Sequence, residues 1–191
     1  MQPYSVEASI LEGELEVKAL FKYVQDNAVE FEAYPMEKGI FSRLMKIGYA
    51  AMKCYFAEKG TGDMGDELEL EEAIILKREN RVHKRDYFSV FGKLAVWRTC
   101  YRKAGEKGVM PLDARANLPE RCYSYLLQEW MDLFSIRDSF SEAAISLEAL
   151  LQLDIKQSRF ELVNRESAGS YVRTILVNDG VIFMIIEGLA I

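Results

Sequence analysis

Ile10, Leu11, Leu15, Val17, Leu20, Phe21 and Val24 fall mostly three to four residues apart, a spacing that predicts an amphipathic helix. A second helix is predicted from about Phe31 to Glu58. Its apolar stripe holds Ile40, Phe41, Leu44, Met45, Ile47, Met52 and Phe56, and Pro35 near its start is a candidate break. Gly60, Gly62 and Gly65 then end the helix in a loop. This loop is no phosphate cradle, because it lacks a Gly-Lys-Ser/Thr ending and no apolar strand leads into it.

The pattern then changes. Residues 73–78 take on strand character, and Tyr87–Phe91 and Leu94–Tyr101 are aromatic and β-branched runs separated by Gly92-Lys93, which predicts a β-hairpin. In the second run Leu94, Val96 and Arg98 alternate with Ala95, Trp97 and Thr99, so Trp97 and Arg98 face opposite sides. Ala104 to Pro119 reads as a loop. Three helices are predicted after it. The first spans about Tyr123–Ser135, with Leu126, Leu127, Trp130, Met131 and Phe134 at helical spacing. The second opens at Ser139 and the third at Ser158. Ser139-Phe140-Ser141-Glu142 and Ser158-Arg159-Phe160-Glu161 both have the capping-box pattern, a hydroxyl followed three residues on by a carboxylate. Trp130, Leu127, Phe134, Phe140, Leu147 and Phe160 are the expected core of this unit.

The fold class is therefore α+β and mostly α: N-terminal helices with a small β-hairpin, a three-helix helix-turn-helix unit and a short apolar β tail. The segments are 1–72 (helical), 73–119 (basic hairpin and Pro/Gly loop), 120–170 (helix-turn-helix) and 171–191 (apolar tail). No apolar run is long enough to span a bilayer, since Asp179 and Glu187 interrupt the tail. The acidic start does not read as a signal peptide. Three widely spaced cysteines, Cys54, Cys100 and Cys122, argue for a reducing, cytoplasmic setting.

Charge sharpens the picture. The 191 residues carry a net charge of −6, unevenly distributed. Residues 1–76 hold 7 Lys/Arg against 15 Asp/Glu, residues 77–107 hold 10 against 3, and residues 108–191 hold 7 against 12. A basic block between acidic flanks bears on partners rather than fold. It is either a solvated, salt-bridged hairpin or a patch that faces phosphate, and charge alone favours the first. Metal binding is not expected. His83 is the single histidine, reads as exposed among Arg81, Lys84 and Arg85, and no Cys-x-x-Cys pair is present.

The unit from Ser139 to Ala168 has the outline of a helix-turn-helix, whose second helix presents N-terminal side chains to base edges. Here those are Lys156, Gln157 and Arg159. Arg can bridge guanine, Gln can bridge adenine and Lys can reach phosphate. An ordinary helical hairpin in an all-α core explains the same pattern, and the acidic total counts against DNA.

The run Tyr87–Leu94, then Arg98 and Tyr101, Pro111-Leu112-Asp113-Ala114, Asn117-Leu118-Pro119, Tyr123–Trp130 and Ser139–Ala143 resembles the N-terminal half of ISKra-type insertion-sequence transposases. The resemblance spans about residues 35–168. It rests on a Val-Phe-Gly hairpin, an Arg on the outgoing strand, a Pro-Leu-Asp loop and a Ser-Phe-x-x-Ala helix-turn-helix. The zinc-type cysteine pairs that many of these transposases carry around the hairpin are absent, so no metal role is carried over. The resemblance implies double-stranded DNA, the transposon ends, as partner. Lys84, Arg85, Lys93, Arg98 and Arg102 would contact the backbone, and Lys156, Gln157 and Arg159 the bases. It also implies DDE-type chemistry in longer relatives, where three acids hold two Mg²⁺ ions. Asp179, followed by Gly180, is the candidate first acid, although Asn178-Asp179-Gly180 is equally a plain β-turn. No cofactor is expected in this chain, which is expected to be catalytically inactive alone. The competing expectation is a helical interaction or regulatory module with no DNA role, whose acidic N-terminal helices bind a homo-oligomeric copy or another protein.

Overall fold

The computed structural model describes residues 2–70, 74–136, 139–153 and 155–173, with side chains through residue 165. Asp179 and the apolar tail beyond residue 173 lie outside the described residues. The fold is α+β and mostly helical, in two compact units that meet in sequence at Ser124/Tyr125.

In the first unit α1 (Val6–Asn27) and α2 (Ala33–Lys59) pack as a helical hairpin. Ser5 caps α1, its hydroxyl accepting from the Ala8 N–H. Pro35 does not split α2. It sits in the first turn, where the proline N has no intrahelical partner to lose. Gly60, at φ +64°, ends the helix in a backbone conformation that a side chain would strain.

Among the described residues, five strands follow: β1 (Glu67–Glu69), β2 (Ile75–Arg78), β3 (His83–Ser89), β4 (Gly92–Arg98) and β5 (Tyr101–Arg102). β1, β2 and β5 form one antiparallel sheet in the order β1-β2-β5, and β3 and β4 form the hairpin. The hairpin begins four residues earlier than the aromatic run suggests, and its turn is Val90-Phe91 rather than Gly92-Lys93. Ser89 and Gly92 pair across it. The Ser89 hydroxyl accepts from the Phe91 N–H and donates to the Gly92 carbonyl, while Gly92 takes up φ +137°. The glycine is therefore the residue after the turn, absorbing the twist that negative-φ turn residues leave behind.

Strand parity decides which hairpin residues enter the core. Tyr87, Leu94 and Val96 are buried with Phe56 of α2 and Leu112 of the short helix α3 (Pro111–Arg115), which interrupts the expected loop. The Phe56 and Tyr87 rings meet edge to face at 5.2 Å. The free edge of β4 is covered by the N-terminal strap. The Gln2 side chain donates to the Trp97 and Gly60 carbonyls and accepts from the Trp97 N–H, and the Tyr4 hydroxyl accepts from the Ala95 N–H. These contacts occupy edge groups that would otherwise be open to pairing.

The second unit contains α4 (Tyr125–Ser135), α5 (Phe140–Leu151) and α6 (Gln157–Arg173), each packed on the other two. The capping box of Ser139 and Glu142 is formed in full. The second box is not, because α6 starts at Gln157 and Ser158 lies inside its first turn. Gln152 closes α5 in the left-handed conformation, its N–H donating to the Glu148 carbonyl. Leu127, Leu147 and Phe160 are buried as expected, together with Met131, Leu151, Ile155 and Val163. Trp130, Phe134 and Phe140 are only half-buried, so small and branched residues carry more of this core than the aromatics do.

Candidate nucleic-acid interface

The basic block divides by strand face. Arg85 on β3 and Arg98 on β4 share the parity of Tyr87, Leu94 and Val96, so their guanidinium groups are carried toward the inside of the unit. Their side chains are only 11% and 13% exposed. Both meet Asp113 of α3, Arg98 at 2.6 Å and Arg85 at 3.5 Å. Arg85 also donates to the Pro119 and Arg121 carbonyls. These two arginines are thus tied into the fold, where they hold α3 and the following loop to the hairpin. Expected from sequence to face phosphate, they are committed to protein partners, because the strand face that carries them is the buried one.

Lys84 and Lys93 belong to the opposite, outward parity. Both pair with Asp86, Lys93 at 2.7 Å and Lys84 at 3.6 Å, and both stay more than half exposed. Asp86 is held below the usual carboxylate range, first by the hydrogen bond from Lys93 and then by the charges of Lys93 and Lys84. Arg102 on β5 pairs with Glu79 and is about half exposed. The hairpin is therefore salt-bridged and solvated, with Lys84, Lys93 and Arg102 still accessible. A polar cleft of about 860 Å³ brings Lys84 together with Arg85, Arg98 and Lys107, but Asp86, Asp113 and Glu120 line it too. Its charge is nearly balanced, which is unlike a groove built for phosphate alone.

Glu79, His83 and Cys100 each place one donor atom within 4.8 Å of the others. His83 is mostly covered rather than exposed among its basic neighbours. The Glu79 carboxylate is already engaged on both oxygens, by His83 on one and Arg102 on the other. The hydrogen bond with His83 is the main reason its acidity is raised, so that its pKa lies below the ordinary value. Glu79 is thus occupied by a hydrogen bond with His83 and an ion pair with Arg102. Sequence spacing could not reveal it, because Cys100 reaches the other two only through the return strand of the hairpin.

In the second unit Lys156, Gln157 and Arg159 lie together at the start of α6 and are all exposed. Phe160 and Val163, one turn further on, anchor the same helix in the core. Gln157 reaches Glu161 one turn on, at 3.4 Å. This helix start can donate hydrogen bonds from an amide and a guanidinium, next to a lysine charge, at the end of a helix held in the core. The capping box steadies α5 ahead of it. Glu142 is held below the usual glutamate range, first by the Ser139 hydroxyl and then by the Ser139 N–H. A carboxylate whose folded pKa is lowered contributes stability above its unfolded pKa and loses it as pH falls through the folded one. Acidification below about pH 4.3 should therefore loosen the second unit. Glu142→Gln, which keeps the geometry but does not titrate there, should show a shallower loss in denaturant midpoints measured across that range.

No family model, no curated protein and no solved structure matches this chain. Among the described residues, no helix is long and apolar enough to cross a membrane. Cys54, Cys100 and Cys122 are free thiols.

Proposed function

We propose that this chain recognises double-stranded DNA as the N-terminal, end-binding part of an insertion-sequence transposase, with α6 reading bases. The observation that supports this reading best is the exposed Lys156, Gln157 and Arg159 at the start of a helix that buried Phe160 and Val163 anchor in the core. Of the backbone contacts expected from the resemblance, Lys84, Lys93 and Arg102 stay accessible and are the natural phosphate contacts. For the DDE-type chemistry that the resemblance implies, Asp179 is the candidate first acid.

The two sets of residues should respond differently in gel-shift titrations at two salt concentrations. Replacing Gln157 or Arg159 should cost on the order of 1–3 kcal/mol on the element end and little on a scrambled duplex. Neutralising Lys84 or Lys93 should weaken both duplexes alike and lower the salt slope by roughly one per lost contact. If the wild-type chain binds neither duplex at low salt, the reading fails and a protein-interaction module replaces it.

A further inference from the structure

The α1–α2 hairpin buries one side against the rest of its unit, through Phe56, Met52 and Tyr49. Among the described residues, nothing covers another side. There Ile10, Gly13 and Val17 of α1 and Ile47, Ala51 and Cys54 of α2 line a groove of about 500 Å³ whose surface is almost wholly apolar. Phe21 continues the α1 stripe one turn beyond Val17 and is 65% exposed, and Leu44, one turn before Ile47, is 48% exposed. Two packed helices with a continuous apolar face lack the second layer that would cover it.

We propose that this face is the interface of a homodimer, in which a second copy of the hairpin packs groove to groove as an antiparallel four-helix bundle. The argument is that the face is its own complement. Glu14 and Lys18 stand on the groove rim, one turn apart, and neither makes an ion pair with any other described residue. A two-fold axis perpendicular to the helices and level with Glu16 sets Glu14 beside Lys18 of the partner subunit, and the reverse. The same axis sets Ile10 against Phe21 of the partner subunit.

The second helix obeys the same axis without adjustment. Gly13 lies against Ala50, since a Cβ on the glycine would stand 3.8 Å from the Ala50 Cβ. Three residues forward on α1 and three back on the antiparallel α2 put Glu16 level with Ile47. Ile47 then meets Ile47 of the partner subunit, and Leu44 meets Ala51 of the partner subunit. One axis thus pairs apolar with apolar on both helices and acid with base on the rim. A partner unrelated to this chain would have no reason to match it so. The proposal is independent of any DNA role.

Sedimentation equilibrium of the full chain is the test. The wild type should show a reversible monomer–dimer equilibrium. Glu14→Lys and Lys18→Glu each replace two attractions with two repulsions, and each should raise the dimer dissociation constant about tenfold. An equimolar mixture of the two variants restores both pairs, and should associate more tightly than either variant alone. Val17→Glu places charges in the closed interface and should leave a monomer, with far-ultraviolet circular dichroism unchanged because Val17 is accessible in the single copy. A wild type that stays monomeric at all concentrations overturns the proposal. So does a dimer indifferent to all three substitutions, or a mixture no tighter than its components.

Discussion

Asp113→Ala should lower the stability of the first unit by about 2–3 kcal/mol, because it strands the nearly buried Arg98 guanidinium and takes the counter-charge, though not the two carbonyl acceptors, from Arg85. Breaking a buried pair by removing one partner typically costs about 3–5 kcal/mol. Asp113 itself is 29% exposed, which admits solvent and moves the expectation toward the lower end. The loss corresponds to a fall of about 10 °C in the midpoint of that unit. Asp113→Asn, which keeps an acceptor oxygen for Arg98 and loses the charge, should fall between. The Arg98→Ala and Asp113→Ala double-mutant cycle should show a coupling of about 1–3 kcal/mol, since the two side chains are in direct contact. Thermal denaturation followed with hydrogen exchange assigns the change to the right unit. An unaltered midpoint would mean that both arginines are hydrated without Asp113, and that they remain free for phosphate.

Phe160→Ala should be the most damaging single truncation in the second unit. Phe160 is fully buried, and removing a buried aromatic costs about 3–5 kcal/mol in transfer free energy and cavity. That is a large share of the stability of a small domain. Phe140→Ala, one helix earlier, should cost markedly less, because Phe140 is only half-buried and water already reaches part of the ring. Chemical denaturation of both variants, followed by the ellipticity of the helices, separates them. Equal losses would mean that α6 is no better anchored than the first turn of α5, and would remove the rigid support that the proposed base reading by Gln157 and Arg159 requires.

The expected stability effects fall where different kinds of sequence information ran out. Phe160 and Phe140 have the same chemistry and both sit in a first turn beside a capping-box pattern. Only the packing of three helices tells which ring is enclosed. Likewise Ser139 and Ser158 carry the same local signal. The first caps a helix and the second does not, because α6 begins at Gln157, two residues before a helix capped by Ser158 would.

Periodicity alone was enough for α1, α2 and the three helices of the second unit, though not for the short α3, and for the existence of the hairpin and the α+β class. Those features follow from local repeat lengths of about 3.6 and 2 residues that any apolar surface must match. The alternation of Leu94, Val96 and Arg98 against Trp97 was equally legible. What the alternation could not say is which face of the hairpin is inside. That depends on Phe56 and Leu112 arriving from distant segments to cover Tyr87, Leu94 and Val96. Once they do, Arg85 and Arg98 are drawn inward with that face, and Asp113 must be there to meet them. The covering of the β4 edge by Gln2 and the meeting of Glu79, His83 and Cys100 are decisions of the same kind. Each joins residues whose separation in sequence carries no period, so the tertiary structure alone decides it.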